Sequence, residues 1–191
     1  MLEVARPAPL RAGAPGGLRV RRAVPGDRAA LAAMFGRCSL ETRYRRFHAP
    51  VHKMPERYLA AALAGRPDHY ALVAAAPSGA ITALASACAT EPGTMEVGIL
   101  VEDSWQGRGL GGFLLGRLVR HARRRGVGVI AAVILREQAW ILRLLRAHGD
   151  CETTSSREAT FATLLLHAPS AWRPSVLAAL GLSGLACGAS R

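Results

Sequence analysis

A chain of 191 residues with half of them hydrophobic and a fifth charged has room for one folded domain and short tails, which excludes disordered, collagen-like and coiled-coil architectures for the whole. Its formal charge of +12 favours acidic partners such as nucleic acid, a membrane surface or a polyphosphate-bearing cofactor. Every basic residue except Lys53 is arginine, a compositional bias that weakens charge as a guide to function.

Residues 1–17 carry Pro7, Pro9 and Pro15 and read as a mobile N-terminal arm. The folded domain is expected over 18–167, with a C-terminal tail at 168–191. Leu18, Val20 and Arg22 alternate with Arg19, Arg21 and Ala23, a first strand ending at Pro25-Gly26. Asp27 is placed to cap a helix whose apolar stripe is Leu31, Met34 and Phe35, and a second helix after Pro55 carries Tyr58, Leu59, Ala62 and Leu63.

Three apolar runs follow, Tyr70 to Ala76, Ala80 to Ala89 and Met95 to Val101. The turns Pro77-Ser78-Gly79 and Glu91-Pro92-Gly93 make them antiparallel strands. A long amphipathic helix is predicted from Leu110 to Arg125, and Gly126 stops it. Val127 to Leu135 reads as a strand covered on both faces, parallel to its predecessor because a helix joins them. A helix at Gln138 to Ala147 and strands at Cys151 to Ser156 and Ala159 to Leu166 complete an α/β chain with a mixed sheet; the tail holds one short helix, Ser175 to Leu180.

Cys38, Cys88, Cys151 and Cys187 lie far apart without metal-ligand spacing, so reduced thiols and no metal are expected. No apolar run of signal-peptide length opens the chain and Val127 to Leu135 is too short to span a bilayer, so a cytoplasmic protein with no membrane segment is expected.

The stretch with chemistry in it is Gln106-Gly107-Arg108-Gly109-Leu110-Gly111-Gly112, between a strand and a helix. Its glycines admit a ligand close to the backbone, and the helix beginning there adds unpaired N–H groups and the positive end of its dipole. The site is built for an anion, with a glycine-rich turn that merely packs helix on sheet as the plainer alternative. No Gly-Lys-Ser/Thr closes it as a nucleotide P-loop would, and no acid follows about 20 residues on as in a dinucleotide fold.

This run, after a strand ending in Val101, resembles the Q/R-x-x-G-x-G/A signature of the GNAT N-acetyltransferases. The order of elements is similar over residues 18 to 166. The resemblance implies a GNAT fold, a mixed sheet of about seven strands with about four helices, and acetyl-CoA as acyl donor. It implies backbone contacts to the pantetheine arm from Ile99, Leu100 and Val101, and a pyrophosphate cradle from Gln106, Gly107, Arg108, Gly109, Leu110, Gly111 and Gly112. Gln138 falls where the family places an Asn, Leu145 where many members carry a Tyr acting as general acid, and Asp150 where they carry a Phe. Water is then left to protonate the departing thiolate, or the chain binds CoA without catalysis.

Acyl transfer to an amine needs a base, and Glu96 is the candidate. It interrupts an apolar strand, shares a face with Gly98 and Leu100, and precedes Val101 by about 16 Å at ~3.3 Å per residue, comparable to a pantetheine arm. Its plainer reading is a solvated carboxylate or one paired with arginine. Glu102 and Asp103 lie at the phosphate end, Glu137 reads as a helix-start acid, and Val133 stands where some relatives place a carboxylate.

Ser39 to Phe47 resembles the S-x-x-S/T-x-Y-x-R-F segment of bacterial protein lysine acetyltransferases. That resemblance implies a protein lysine as preferred acceptor, with a small amine as the alternative; Arg43, Arg45 and Arg46 otherwise read as a solvated basic turn. Arg117, Arg120, Arg123, Arg124 and Arg125 crowd a helix end without interleaved aromatics, which disfavours a nucleic-acid module. A monomer or homodimer is expected.

Overall fold

The computed structural model describes residues 14–135, 138, 140–155 and 159–166. The short helix expected at Ser175 to Leu180, Glu137, Cys187 and most of the N-terminal arm lie outside them. Among the described residues seven strands form one sheet: β1 (Arg19–Arg22), β2 (His69–Ala75), β3 (Ile81–Glu91), β4 (Thr94–Val101), β5 (Val129–Leu135), β6 (Asp150–Ser155) and β7 (Ala159–Leu165). Their order is β1-β2-β3-β4-β5-β7-β6, antiparallel throughout except for the parallel β4/β5 pair at the centre. The mixed sheet expected from the pattern is therefore present.

Five helices among the described residues flank it: α1 (Arg28–Arg37), α2 (Leu40–Phe47), α3 (Glu56–Leu63), α4 (Leu110–Arg124) and α5 (Trp140–Arg146). The sequence reading has four, because Leu40 to Phe47 reads as a turn. Its charges mask the helix: Arg43, Arg45 and Arg46 leave few apolar positions, and Ser39, whose side chain accepts from the Thr42 N–H, is the capping signal that marks its start.

Asp27 also differs from expectation. Its carboxylate does not cap α1; it is buried and held by two bonds from Arg21 at 2.6 and 2.7 Å and by the Val24 N–H at 2.9 Å. The bidentate guanidinium offsets the desolvation of that carboxylate and pins β1 to the start of α1. The hydrogen bonds outweigh burial and keep its pKa below the ordinary value.

Two cores sit on opposite faces. Leu110, Leu114, Leu115, Leu118 and Val119 of α4 pack with Leu145 of α5 against Met95, Ile130 and Ile134. On the other face Leu31, Met34 and Phe35 of α1 and Tyr58 and Leu59 of α3 pack against Val73, Leu84 and Leu100. A fully buried leucine such as Leu114 contributes about 2 kcal/mol by the area it removes from water. The sheet is thus a partition: Met95 faces one core and Leu100 the other, as strand alternation requires.

Candidate active site

The central parallel pair is short. β4 and β5 are in register only at Thr94↔Val129, Met95↔Ile130 and Glu96↔Ala131. Beyond Glu96 each strand keeps its outer neighbour, β4 pairing β3 as far as Val101↔Ala83 and β5 pairing β7 as far as Leu135↔Ala159. A gap therefore opens between them, and the inner edge of Val97 to Val101 has no β5 partner. Main-chain donors and acceptors left unpaired in this way call for an extended, amide-bearing ligand.

A cavity of about 630 Å³ fills the gap. Its walls include Glu96, Ile99, Leu100, Val101, Gln106, Gly107, Gly109, Leu110, Gly111, Gly112 and Gln138, so these predicted site residues lie together. Arg108 does not line it; its guanidinium lies over the Trp105 ring, 5.0 Å from the centroid. The Leu100 and Leu110 side chains belong to the cores, which leaves only their main chains to meet a ligand.

At the wide end Gly107 and Gly109 have φ of +70° and +79°, a region that side chains rarely tolerate. A Cβ built on Gly107, Gly109 or Gly111 meets nothing within 4 Å, so the loop faces open space. The first intrahelical bond of α4 runs from the Phe113 N–H to the Gly109 carbonyl at 3.0 Å. The amides of Leu110, Gly111 and Gly112 precede it and are available to an anion. The Gln106 side chain is already engaged, donating to Thr42 Oγ1 and to the Val101 carbonyl at 3.0 Å each. Gln106 thus shapes the loop with its amide and leaves its main chain to the cavity.

The two acids beside the loop are also engaged. Glu102 pairs with Arg37 at 2.8 Å, and Asp103 accepts from the Ser39 N–H, the Ser39 hydroxyl and the Thr42 hydroxyl at 2.8, 2.7 and 2.9 Å. Burial pushes the Asp103 carboxyl up, but these hydrogen bonds outweigh it and hold it below its ordinary value.

At the narrow end, where pairing stops, stands Glu96. It is half-buried, and among the described residues no ion pair within 4.0 Å includes it. Burial raises its pKa above the ordinary 4.5; the positive charge of Arg46 opposes that rise and Cys88, its partner across β3, adds to it. Val133 faces the same cavity from β5. Leu145 lines the cavity while only 1 % exposed, and Asp150 begins β6 opposite Leu165.

Sequence reasoning left Trp140 and the α2 arginines out of the site. Trp140 lines the cavity although it is 48 % exposed, and Arg45 and Arg46 line it from α2. A single aromatic residue at the first position of a short helix carries no periodic signal, so only the fold brings it to the cavity. Cys38, Cys88 and Cys151 form no disulfide among the described residues, and burial, with Asp103 and Glu102 nearby, pushes the Cys38 thiol up to about 11. No group of His, Cys, Asp and Glu among the described residues is arranged to hold a metal ion, and no described helix is long and apolar enough to cross a membrane.

A splayed parallel pair that ends at a glycine loop on a helix N-terminus defines the GNAT fold, and residues 36–149 match the model of the acetyltransferase (GNAT) family. The chain belongs to that family: it is an N-acetyltransferase-type acyltransferase with acetyl-CoA as donor and an amine as acceptor. The fold is similar to that of the GNAT domain of S. lividans PAT, at 24% identity and TM-score 0.69 over 78% of this chain and 90% of that one. A Salmonella typhimurium structure solved with its cofactor acetyl-CoA matches at 24% identity and TM-score 0.63, over 82% of this chain and 98% of that one. A GNAT superfamily phosphinothricin acetyltransferase from Sinorhizobium meliloti, in complex with acetyl-CoA, matches at 21% identity and TM-score 0.63, over 82% and 92%. The open strand edge and the glycine cradle fit acetyl-CoA: one suits the pantetheine amides and the other the pyrophosphate.

Proposed function

We propose that the protein acetylates a primary amine by direct attack in a ternary complex, with Glu96 as general base and a protein lysine as acceptor. The observation carrying this reading is the position of Glu96 at the point where β4 and β5 part, with the glycine cradle at the other end of the same cavity. Bound acetyl-CoA supplies an acyl group already activated as a thioester. The main-chain groups of Ile99, Leu100 and Val101 align the donor arm along β4, and the amides from Gly107 to Gly112 hold its phosphates. Gln138, half-buried in the cavity wall two residues before α5, adds a side-chain amide there.

Glu96 takes the proton that the acceptor amine must lose, a role served by its raised pKa. Direct attack is supported by what the lining lacks among the described residues: no Cys or Ser is available as a nucleophile, and the Thr42 hydroxyl is bound to Asp103 and Gln106. The lining also has no Tyr among the described residues, and in this reading water protonates the thiolate. A CoA thiol is acidic enough for that to cost less than loss of the base.

The lysine reading is supported by the Ser39 to Phe47 segment, which forms α2 and walls the cavity beside Glu96. A small amine is the second reading, favoured by the apolar walls contributed by Trp140, Ile141 and Leu144. The test is calorimetric titration of acetyl-CoA followed by acetyl transfer to lysine-bearing proteins and to a panel of small amines, for wild type and Glu96→Gln. Micromolar binding with transfer that collapses in the variant is expected. Equal rates in the two proteins would remove Glu96 from the mechanism, and binding without any transfer would leave a CoA-binding module.

A further inference from the structure

Arg46 is the arginine whose placement the reaction above does not use. Its guanidinium lies over Gly98, where a built Cβ would collide with it, so this glycine makes room for that side chain. The rings of Phe47 and Tyr58 hold it, with centroids 4.9 and 4.8 Å from its Cζ. Tyr58 is in turn fixed by a 3.1 Å hydrogen bond between its hydroxyl and that of Ser86, the residue opposite Gly98 on β3.

The other α2 arginines have side-chain partners within the protein, although the Nε of Arg45, like that of Arg46, is buried without one. Arg43 donates to the carbonyls of Gly36, Cys38 and His52, and Arg45 pairs with Glu41 one turn back. Arg46 has no such partner among the described residues: its Nε is buried without one and no carboxylate lies within ion-pair distance. A half-buried cation held in position, its Nε cut off from solvent and no carboxylate paired with it, favours the arrival of an anion.

That anion is not the donor's phosphate. α2 begins at the loop, where Ser39 and Thr42 bind Asp103, and runs toward the other end of β4, so Arg46 stands beside Gly98 rather than beside the glycine cradle. Gly98 and Glu96 are two residues apart on one face of β4, about 7 Å at ~3.3 Å per residue. That span suits an acceptor whose amine meets Glu96 while a carboxylate held close to it in space meets a guanidinium, each at about 2.8–3.0 Å.

We propose that Arg46 is a specificity residue that binds a carboxylate carried close to the acceptor amine. The inference rests on the cavity being the acetyl-transfer site and adds the chemical class of its acceptor. Two sources offer that chemistry: the α-carboxylate of a free amino acid, and an acidic residue adjoining a lysine in a peptide. Without the carboxylate, Arg46 repels an incoming ammonium group, which gives the site a means of rejecting simple amines.

The test uses two matched pairs: leucine against leucinamide, and a lysine peptide with Glu beside the lysine against the same peptide with Gln there. Expected is a preference of tenfold or more in kcat/KM for the carboxylate member of one pair, expressed in KM, and the pair that responds identifies the source. Arg46→Met brings the ratio to about one, Arg46→Lys keeps part of it, and Gly98→Ala, which displaces the guanidinium without removing its charge, lowers it as Arg46→Met does. Equal use of both members by wild type, or a ratio that survives in Arg46→Met, overturns the proposal. Thermal melts establish that each variant is folded, and Arg46→Lys and Gly98→Ala serve if Arg46→Met is not. Titration of the four compounds into CoA-saturated protein reads the same ratio in Kd, so absence of turnover with the ratio preserved counts against the proposed reaction alone. Failure of all four to bind overturns the role of Arg46 as well.

Discussion

Ser39 donates both its N–H and its hydroxyl to the Asp103 carboxylate, at 2.8 and 2.7 Å, and so ties the first turn of α2 to the segment that leads into the glycine loop. The same Ser39 hydroxyl accepts from the Thr42 N–H as the cap of α2. One carboxylate thereby sets the position of the acceptor-side helix relative to the donor-side loop. Asp103→Asn keeps the shape and removes the charge. It is expected to cost about 1–2 kcal/mol, since charge-assisted bonds are lost at a partly exposed site. Calorimetric melting reads that loss, and a higher Kd for acetyl-CoA accompanies it because Gln106 is held through Thr42.

Glu96→Gln is expected to lower the rate of acetyl transfer by roughly 10²–10⁴, the range for loss of a general base, with little change in the Kd of acetyl-CoA. Stability moves the opposite way. The pKa of Glu96 is raised in the folded state, so its ionisation disfavours folding: the cost is absent below the ordinary value of 4.5 and grows as pH rises through the raised value. The variant should therefore melt above wild type at pH 7 and level with it near pH 4. A variant that is less stable at pH 7 would contradict burial as the cause of the shift.

Most of the fold was legible because its signals are local. Alternation in Met95 to Val101, the turns at Gly79 and Gly93, and the apolar stripe of α4 each follow from a period of 2 or 3.6. The loop was legible for the same reason, since Gly107, Gly109 and Gly111 fall within five residues of one another in sequence. α2 was not, because its one apolar stripe is replaced by arginines whose stems and planes pack on Phe35, Phe47 and Tyr58. Nor was the gap between β4 and β5: where two strands stop pairing is set by their outer partners β3 and β7, and no pattern within either strand records it.

Arg46 should also set the pH dependence of the reaction. Its charge lowers the Glu96 pKa against the rise caused by burial, so Arg46→Met removes the opposing influence and lets that pKa climb further. The acid limb of kcat/KM then moves to higher pH, whereas Arg46→Lys leaves it nearly where wild type has it. A limb that does not move in Arg46→Met would mean that another group titrates there. The measurement is a pH profile with one carboxylate-free amine, which stays an ammonium across the acid limb, so its repulsion by Arg46 scales the whole profile without moving the limb.

Gly109 and Gly111 separate strain from charge in the cradle. Gly109 has φ of +79°, so Gly109→Glu carries about 1–2 kcal/mol of backbone strain besides the carboxylate it adds. Gly111 lies in the first turn of α4, has no positive φ and faces open space, so Gly111→Glu adds the carboxylate alone. An acid in a first helical turn is favoured by the dipole by about 0.3–1 kcal/mol, which offsets the loss of the phosphate-binding surface as far as folding is concerned. Gly111→Glu is therefore expected to melt at or slightly above wild type while binding acetyl-CoA at least 100-fold more weakly, and Gly109→Glu to lose both stability and binding. Calorimetric titration and thermal melting of the two variants read this directly. Undiminished binding in Gly111→Glu would move the phosphate site off the α4 N-terminus.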